Sequence, residues 1–427
     1  MKIKQKRKLI EYANVLDQPI RFSPFLFGRD FWLWALLGLI GGIIAGVYWI
    51  TLESLMHALA GFEGWLVVPM MTFAGLIAGL IIHWIGDPGE IHLIVNNIRF
   101  NKGKLNPKNN PSMILSSLVC VAAGGSLGPE APLVQVTGST GTWLGKLFRL
   151  KGEKLRTYSI AGMASGFTAL FGAPLGGSLF AVEILHHKHM LEYYRAVIPA
   201  LVASCFSYIV FAVIIHLGLG PTWNFPQYSY EGIFDFGYAF GIAVLGSAIA
   251  WIFIYCTKTC KKAFESVPMP IYVKTTIGGL ILGLIGFGFP ITRYFGHHEI
   301  NELIGLNLSW DALLLILGMK ILAISVTVTS GWRGGFIIPL FFVGTCLGLV
   351  LCELFPGLNP TLTWVSCMAA VNACVTRTPV STTILLSVLT GFGHFVPILI
   401  ASLTGYFLAP RVPFIHSQLK KIDSESA

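Results

Sequence analysis

One carboxylate stands in a glycine- and proline-rich break between apolar runs: Gly124-Gly125-Ser126-Leu127-Gly128-Pro129-Glu130-Ala131-Pro132-Leu133-Val134-Gln135. Pro132 suits the first turn of a helix beginning there, where its missing N–H leaves no bond unmade. The free amides of Glu130 and Ala131 then point out of the helix start. Such a start attracts anions through its dipole and its unpaired donors. Glu130 is itself an anion, tethered beside that place. It can occupy the place, and it can leave when protonated or displaced, which is the physical basis of a gate. The plainer alternative is a carboxylate that only caps its own helix.

A second break reads Ser330-Gly331-Trp332-Arg333-Gly334-Gly335-Phe336-Ile337-Ile338-Pro339. Glycines interrupt an apolar helix, and Pro339 falls near the start of the next. The amides of Phe336 and Ile337 are candidate donors. Two helix starts meeting inside a membrane make an anion site without a cation, and partial charges bind an ion without trapping it. Read alone, the segment is also compatible with a packing kink. Arg333 is expected near an entrance.

Glu183 ends a short apolar run after Ala173-Pro174-Leu175, beside His186-His187-Lys188-His189. It is either a charge near an inner vestibule or a helix-end carboxylate paired with a base. The histidine-rich cluster has no further ligand group spaced with it, so it is read as a solvated interfacial end, and no metal is expected. Lys320, inside an apolar run, is expected to pair or to snorkel. Asn307-Leu308-Ser309 fits a glycosylation sequon but carries no weight by itself. There is no P-loop, HExxH or GxSxG pattern, so an enzyme reading has no foothold.

The elements that must position these residues follow from composition. Of 427 residues, 54% are hydrophobic and 11% are charged, against roughly 25% charged in soluble chains. So few charges cannot cover a water-facing surface, and lipid must be the main solvent. Residues 31–50, 65–85, 236–256, 312–328 and 336–351 form long apolar runs, near the roughly 17 to 25 residues of a membrane span. Runs at 113–125, 133–147, 175–185 and 380–389 are shorter and suit tilted, broken or re-entrant helices buried among neighbours. The net charge of +9 is spread over clusters at 2–8, 99–108, 146–156, 258–262 and 411–421, each flanking an apolar run. This is a positive-inside pattern rather than a nucleic-acid patch, and it puts both termini in the cytoplasm. The eight cysteines are scattered, form no CxxC pair and read as core packing.

Nothing marks a soluble domain. The organisation expected is a cytoplasmic arm over residues 1–30, one transmembrane domain over 31–410 and a short cytoplasmic tail over 411–427. A weak internal repeat divides the domain into halves of about 31–218 and 235–410. Ala173-Pro174-Leu175 stands against Thr378-Pro379-Val380, and a glycine-rich break precedes each in order. Broken helices at matching places in two halves point to a binding site at the repeat interface.

Three of these motifs resemble the CLC chloride channel/transporter family. Gly128-Pro129-Glu130-Ala131-Pro132-Leu133-Val134-Gln135 is similar to the family's G-(K/R)-E-G-P-x-V-Q, Gly335-Phe336-Ile337-Ile338-Pro339 to G-(K/I)-F-x-P, and Gly172-Ala173-Pro174-Leu175-Gly176-Gly177 with the segment ending at Glu183 to N-A-P-L-A-G and its F-x-x-E. The form around Glu130 is like a divergent bacterial branch without CBS domains. The resemblance implies an all-α membrane protein of CLC type, with many tilted and broken or re-entrant helices in two inverted-topology halves. It implies a homodimer with one anion pathway per subunit and no cofactor beyond the bound anion. Glu130 is then the gate. Phe336 and Ile337 would offer amides to a central ion, and Glu130, Ala131, Ile337 and Ile338 to an outer one.

Four departures accompany the resemblance. Pro129 replaces a basic residue and removes one amide donor. Gly86, beside Asp87, stands where the family has a serine ligand. The family's tyrosine ligand falls near Ile415. The inner proton-path glutamate of the exchangers aligns with Ile184, leaving Glu183 as the preceding residue. The expected pore lining is therefore Gly86, Asp87, Gly128, Pro129, Gly334, Gly335 and Ile415, with Glu183 and Ile184 toward the inner vestibule or proton path. The function expected is passage of small inorganic anions, chloride first, through a pore in the plasma (inner) membrane of a bacterium. Passive conduction is favoured over anion/proton antiport. A fluoride-selective protein and an organic-anion secondary transporter are the alternatives.

Overall fold

The computed structural model describes residues 28–186, 190–216, 221–223, 225–226, 228 and 232–419. The basic cluster at 2–8, the rest of the arm before residue 28, His187, Lys188, His189 and the chain after residue 419 lie outside the described residues. The chain divides into two compact units, Met1–Leu33 and Trp34–Ala427.

Among the described residues the structure is helical, without a strand; its one isolated β-bridge joins Gly128 to Gly335. The helices run in two series of eight. The first is α1 (Arg29–Leu59), α2 (Val67–Ile85), α3 (Ile91–Phe100), α4 (Asn110–Ala122), α5 (Glu130–Leu147), α6 (Glu153–Phe171), α7 (Pro174–Glu183) and α8 (Met190–Ile215). The second is α9 (Phe234–Glu265), α10 (Ile271–Gly288), α11 (Glu299–Gly305), α12 (Trp310–Thr329), α13 (Ile337–Leu354), α14 (Pro360–Thr376), α15 (Pro379–Thr390) and α16 (Phe395–Phe407). Member by member the series correspond. A long first helix leads each, a short amphipathic helix stands third, and the fifth begins after a glycine-rich break. The sixth ends in a left-handed residue, Gly172 (φ 62°) in one half and Arg377 (φ 61°) in the other. A proline then opens the seventh, Pro174 or Pro379.

Packing repeats as well. α5 lies on α6 as α13 lies on α14, while α2 packs on α10 and α7 on α15 across the two halves. The α2–α10 approach is close because Gly75 and Gly279 each face backbone of the opposite helix, where a side chain would collide.

Seven helices among the described residues are long and apolar enough to cross a membrane. The five long apolar runs of the sequence fall in five of them. Residues Arg195–Ile215 and Ile271–Gly288 add two that the sequence reading did not single out. The shorter runs became α4, α5, α7 and α15, of 13, 18, 10 and 12 residues. Around the glycine breaks the core is nearly solvent-free, and α14 is buried along almost its whole length. The C-terminal segment folds back onto the body: Arg99 donates to the carbonyls of Ser417 and Gln418, and Gln418 itself is buried.

Candidate functional site

The two breaks meet. Gly128 and Gly335 exchange backbone hydrogen bonds, Gly128 N to Gly335 O and Gly335 N to Gly128 O, both at 2.7 Å. The two segments run antiparallel as they enter their helices, as an inverted repeat requires. The helix on each side opens within two residues of the bridge. α5 starts at Glu130, two residues before Pro132, which sits inside the first turn rather than opening the helix. α13 starts at Ile337 with Pro339 in the matching place. In each first turn the proline contributes no N–H, so the free donors are Glu130 and Ala131 on one side and Ile337 and Ile338 on the other.

Glu130 lies across this meeting point. It is 2% exposed, and its Oε1 accepts from Ile338 N at 2.9 Å. The amides of Ile337 and of Glu130 itself act on the same carboxylate. Its Oε2 is buried without a hydrogen-bond partner. The glycines of the bridge make room for it: a Cβ on Gly128 or on Gly335 would run into the Glu130 carboxylate. No basic side chain pairs with Glu130 among the described residues, so the anion is held by helix-start amides alone.

Below the carboxylate a narrow cavity is bounded by Glu130, Ala131, Phe336, Ile337, Ile184 and Thr376, among others. Asn372 donates to Ile337 O at 3.0 Å and fixes the α13 turn from α14. A second cavity shares Ile91, Ala131, Gly334 and Phe336 with the first and opens past Arg333, Glu90, His92 and Phe414. The two cavities therefore lie side by side, separated by these four shared residues.

The remaining site residues fall as follows. Ile184 is buried and lines the narrow cavity. Glu183, next to it, accepts from Val380 N (3.1 Å), Ser381 N (2.7 Å) and Ser381 Oγ (2.6 Å). It thus caps the start of α15 in the opposite half, and its partners are amides and a hydroxyl rather than a base. Gly86 ends α2 at φ 118°, and its carbonyl accepts from Ser112 Oγ at 2.6 Å, away from both cavities. Asp87 Oδ1 takes Arg333 Nη2 at 2.7 Å. Ile415 is fully buried in the core, while its neighbour Phe414 lines the second cavity with its ring 5.1 Å from that of Phe336. Pro129 caps α5 without donating.

Lys320 is fully buried. It donates to the carbonyls of Thr292 (3.0 Å) and Tyr294 (2.8 Å), and its ammonium lies 4.6 Å from the centre of the Phe342 ring. It ties down the loop after α10 and does not snorkel. Gln418 is a site-supporting residue that sequence reasoning passed over. Its amide donates to Ile184 O (3.1 Å) and Thr376 O (2.9 Å), holding together two walls of the narrow cavity. A single glutamine in a basic stretch gives no signal of that kind.

An all-helical, many-span protein whose two halves aim broken-helix amides at one buried spot is a membrane transport protein of inverted-repeat type. The sequence profile of the voltage gated chloride channel family matches residues 74–410, and the chain belongs to that family. It is 27% identical over 408 residues to a chloride/fluoride channel protein of Pseudomonas syringae pv. tomato, covering 91% of this chain and 86% of that one. Among solved structures it superposes on a CLC-type fluoride/proton antiporter with a TM-score of 0.80 at 22% identity, covering 91% of this chain and 97% of the other. A slow cyanobacterial Cl-/H+ antiporter superposes with a TM-score of 0.78 at 18% identity, again over 91% and 97%. The fold is therefore of CLC type, the chain is a multi-pass membrane protein, and its family transports anions.

Proposed function

We propose that this protein conducts small inorganic anions, chloride foremost, along the path between the two helix starts, with Glu130 as its gate. The observation that carries this is the Glu130 carboxylate seated on the Ile338 amide with no cation beside it. A tethered anion in that seat marks where a free anion binds, and its withdrawal opens the seat. Glu130, Ala131, Phe336, Ile337 and Ile338 supply the backbone donors, and Gly128, Pro129, Gly334 and Gly335 the close approach. The protein acts as a homodimer in the inner membrane of a bacterium, both termini cytoplasmic, consistent with the basic clusters that flank its helices.

Passive conduction is favoured over proton-coupled exchange by the inner wall. Ile184 cannot carry a proton, and Glu183 is engaged by three donors of α15. A fluoride substrate is supported by the similarity to a chloride/fluoride channel protein and to a fluoride/proton antiporter, and by the lack of a side-chain hydroxyl at Gly86. An organic-anion substrate is the weaker alternative, since the narrow cavity suits a small ion.

Glu130→Gln tests the gate in reconstituted liposomes. The neutral amide no longer competes as an anion, so chloride flux should hold or rise and its dependence on pH should disappear. A folded Glu130→Gln protein silent to anions would remove Glu130 from this role. Parallel runs with fluoride, nitrate and a carboxylate rank the substrates.

A further inference from the structure

Among the described residues, Arg333 is the one arginine lining these two cavities, and the anion site between the helix starts does not explain it. It is 5% exposed. Its backbone is pinned by its own N–H to Cys120 Sγ (3.5 Å) and by the neighbouring Trp332, whose Nε1 donates to Thr275 O (2.9 Å). Its guanidinium meets two carboxylates, Asp87 Oδ1 at 2.7 Å and Glu90 Oε1 at 3.6 Å. Its Nε is buried without a partner. The exposures of the three side chains differ in a telling way: 5% for Arg333 against 52% for Asp87 and 41% for Glu90. The cation is buried, whereas both carboxylates reach solvent; Asp87 Oδ1 also accepts from Gly89 N at 2.8 Å.

We propose that Arg333 is a second anion-binding station at the mouth of the path, and that Asp87 and Glu90 are its tethered competitors. The arrangement repeats, with side chains, what Glu130 does with backbone amides. A guanidinium binds a halide and a carboxylate with the same N–H donors, so the two compete directly. With both carboxylates seated, two negative charges face one positive charge and the mouth repels anions. When either swings out, a desolvated arginine with an unused Nε–H is left facing a cavity that shares Ile91, Ala131, Gly334 and Phe336 with that of Glu130. An incoming small inorganic anion takes that position and passes inward by Gly334 and Phe336. The station supplies a side-chain donor to a path that lacks the hydroxyls expected at Gly86 and Ile415. His92 faces Glu90 from the same side, 3.6 Å away. Its Nδ1 is also without a partner, and it serves as a secondary donor.

This inference rests on the reading of the path as an anion conduit, and its test separates the two. Chloride binding to the purified full-length protein is measured by calorimetry, and flux is measured independently in liposomes. The Asp87→Asn/Glu90→Gln double variant should bind chloride about tenfold more tightly, because two like charges have been removed from the ion's position. Arg333→Gln should weaken binding to a similar degree and cancel the gain of the double variant when combined with it, a non-additivity that direct competition requires. Arg333→Lys should restore part of the binding and guards against a merely misfolded Arg333→Gln. If the double variant is monodisperse and binds chloride no better than the parent, Arg333 is a structural anchor and the station is wrong. The gate reading still stands in that case, provided Glu130→Gln alters flux as expected. A parent protein that neither binds nor passes chloride, fluoride or nitrate overturns both.

Discussion

Glu130 and Gly128 occupy one small volume, and the geometry distinguishes two glycine substitutions that look alike in sequence. A Cβ on Gly128 would meet only the carboxyl end of Glu130, with Cδ at 2.8 Å and Oε1 at 2.9 Å, and that group can rotate away. A Cβ on Gly335 would also meet the Cβ of Glu130 at 2.5 Å, which is fixed to the α5 backbone. If Glu130 is the gate proposed above, Gly128→Ala is expected to unseat its carboxylate and imitate Glu130→Gln, with flux kept and pH dependence lost. Gly335→Ala is expected to distort the helix start and lower flux several-fold. Liposome flux at two pH values reads both, and identical behaviour of the two variants would contradict this placement of the carboxylate. Glu130 was legible in the sequence because a carboxylate inside a glycine break between apolar runs has few structural uses. The Asp87–Arg333 pair was not: its members are 246 residues apart, and each is an ordinary charge beside a helix end.

At the scale of elements, the repeat was visible in two proline positions and two glycine breaks. The correspondence of all sixteen described helices became visible only in space. Sequence similarity fades where lipid and core both accept any apolar side chain, whereas the residues that break helices are held by backbone geometry. Arg377 illustrates the limit. It occupies the left-handed end of α14 where Gly172 ends α6, so the two halves share a conformation without sharing a residue. Glu183 is the other case. Its neighbours in sequence suggested a basic partner, but its carboxylate crosses to the other half and satisfies two amides that α15 leaves open. Glu183→Ala should therefore cost about 1 to 2 kcal/mol of stability, read as a lower thermal midpoint in detergent. Anion flux per folded protein should remain near that of the parent. A variant of unchanged stability that loses a proton-linked component of flux would make Glu183 a relay rather than a cap.

For the whole molecule, the decisive question is whether a proton can cross along with the anion. A proton must have successive titratable groups from one face to the other, each within reach of the next. Glu130 is such a group at the meeting of the helix starts. Beyond it the narrow cavity is bounded by Ile184, Phe336, Ile337 and Thr376, none of which titrates in the physiological range. Past that wall, Glu183 behind Ile184 is engaged by Val380 and Ser381, and Asp87 and Glu90 are occupied with Arg333 beside the neighbouring cavity. Water would have to bridge the gap unaided, through a passage lined mainly by apolar side chains. Liposomes loaded with chloride and diluted into low chloride should thus show anion efflux with no uphill movement of protons, and dissipating the proton gradient should leave chloride flux unchanged. Sustained proton pumping in that assay, abolished by Glu130→Gln, would show that water does complete the wire and that the protein is an exchanger in spite of Ile184. The same assay with fluoride separates the remaining choice of ion. A fluoride rate well above that for chloride would mean that the two helix starts, without a hydroxyl at Gly86, are matched to the smaller and more strongly hydrated anion.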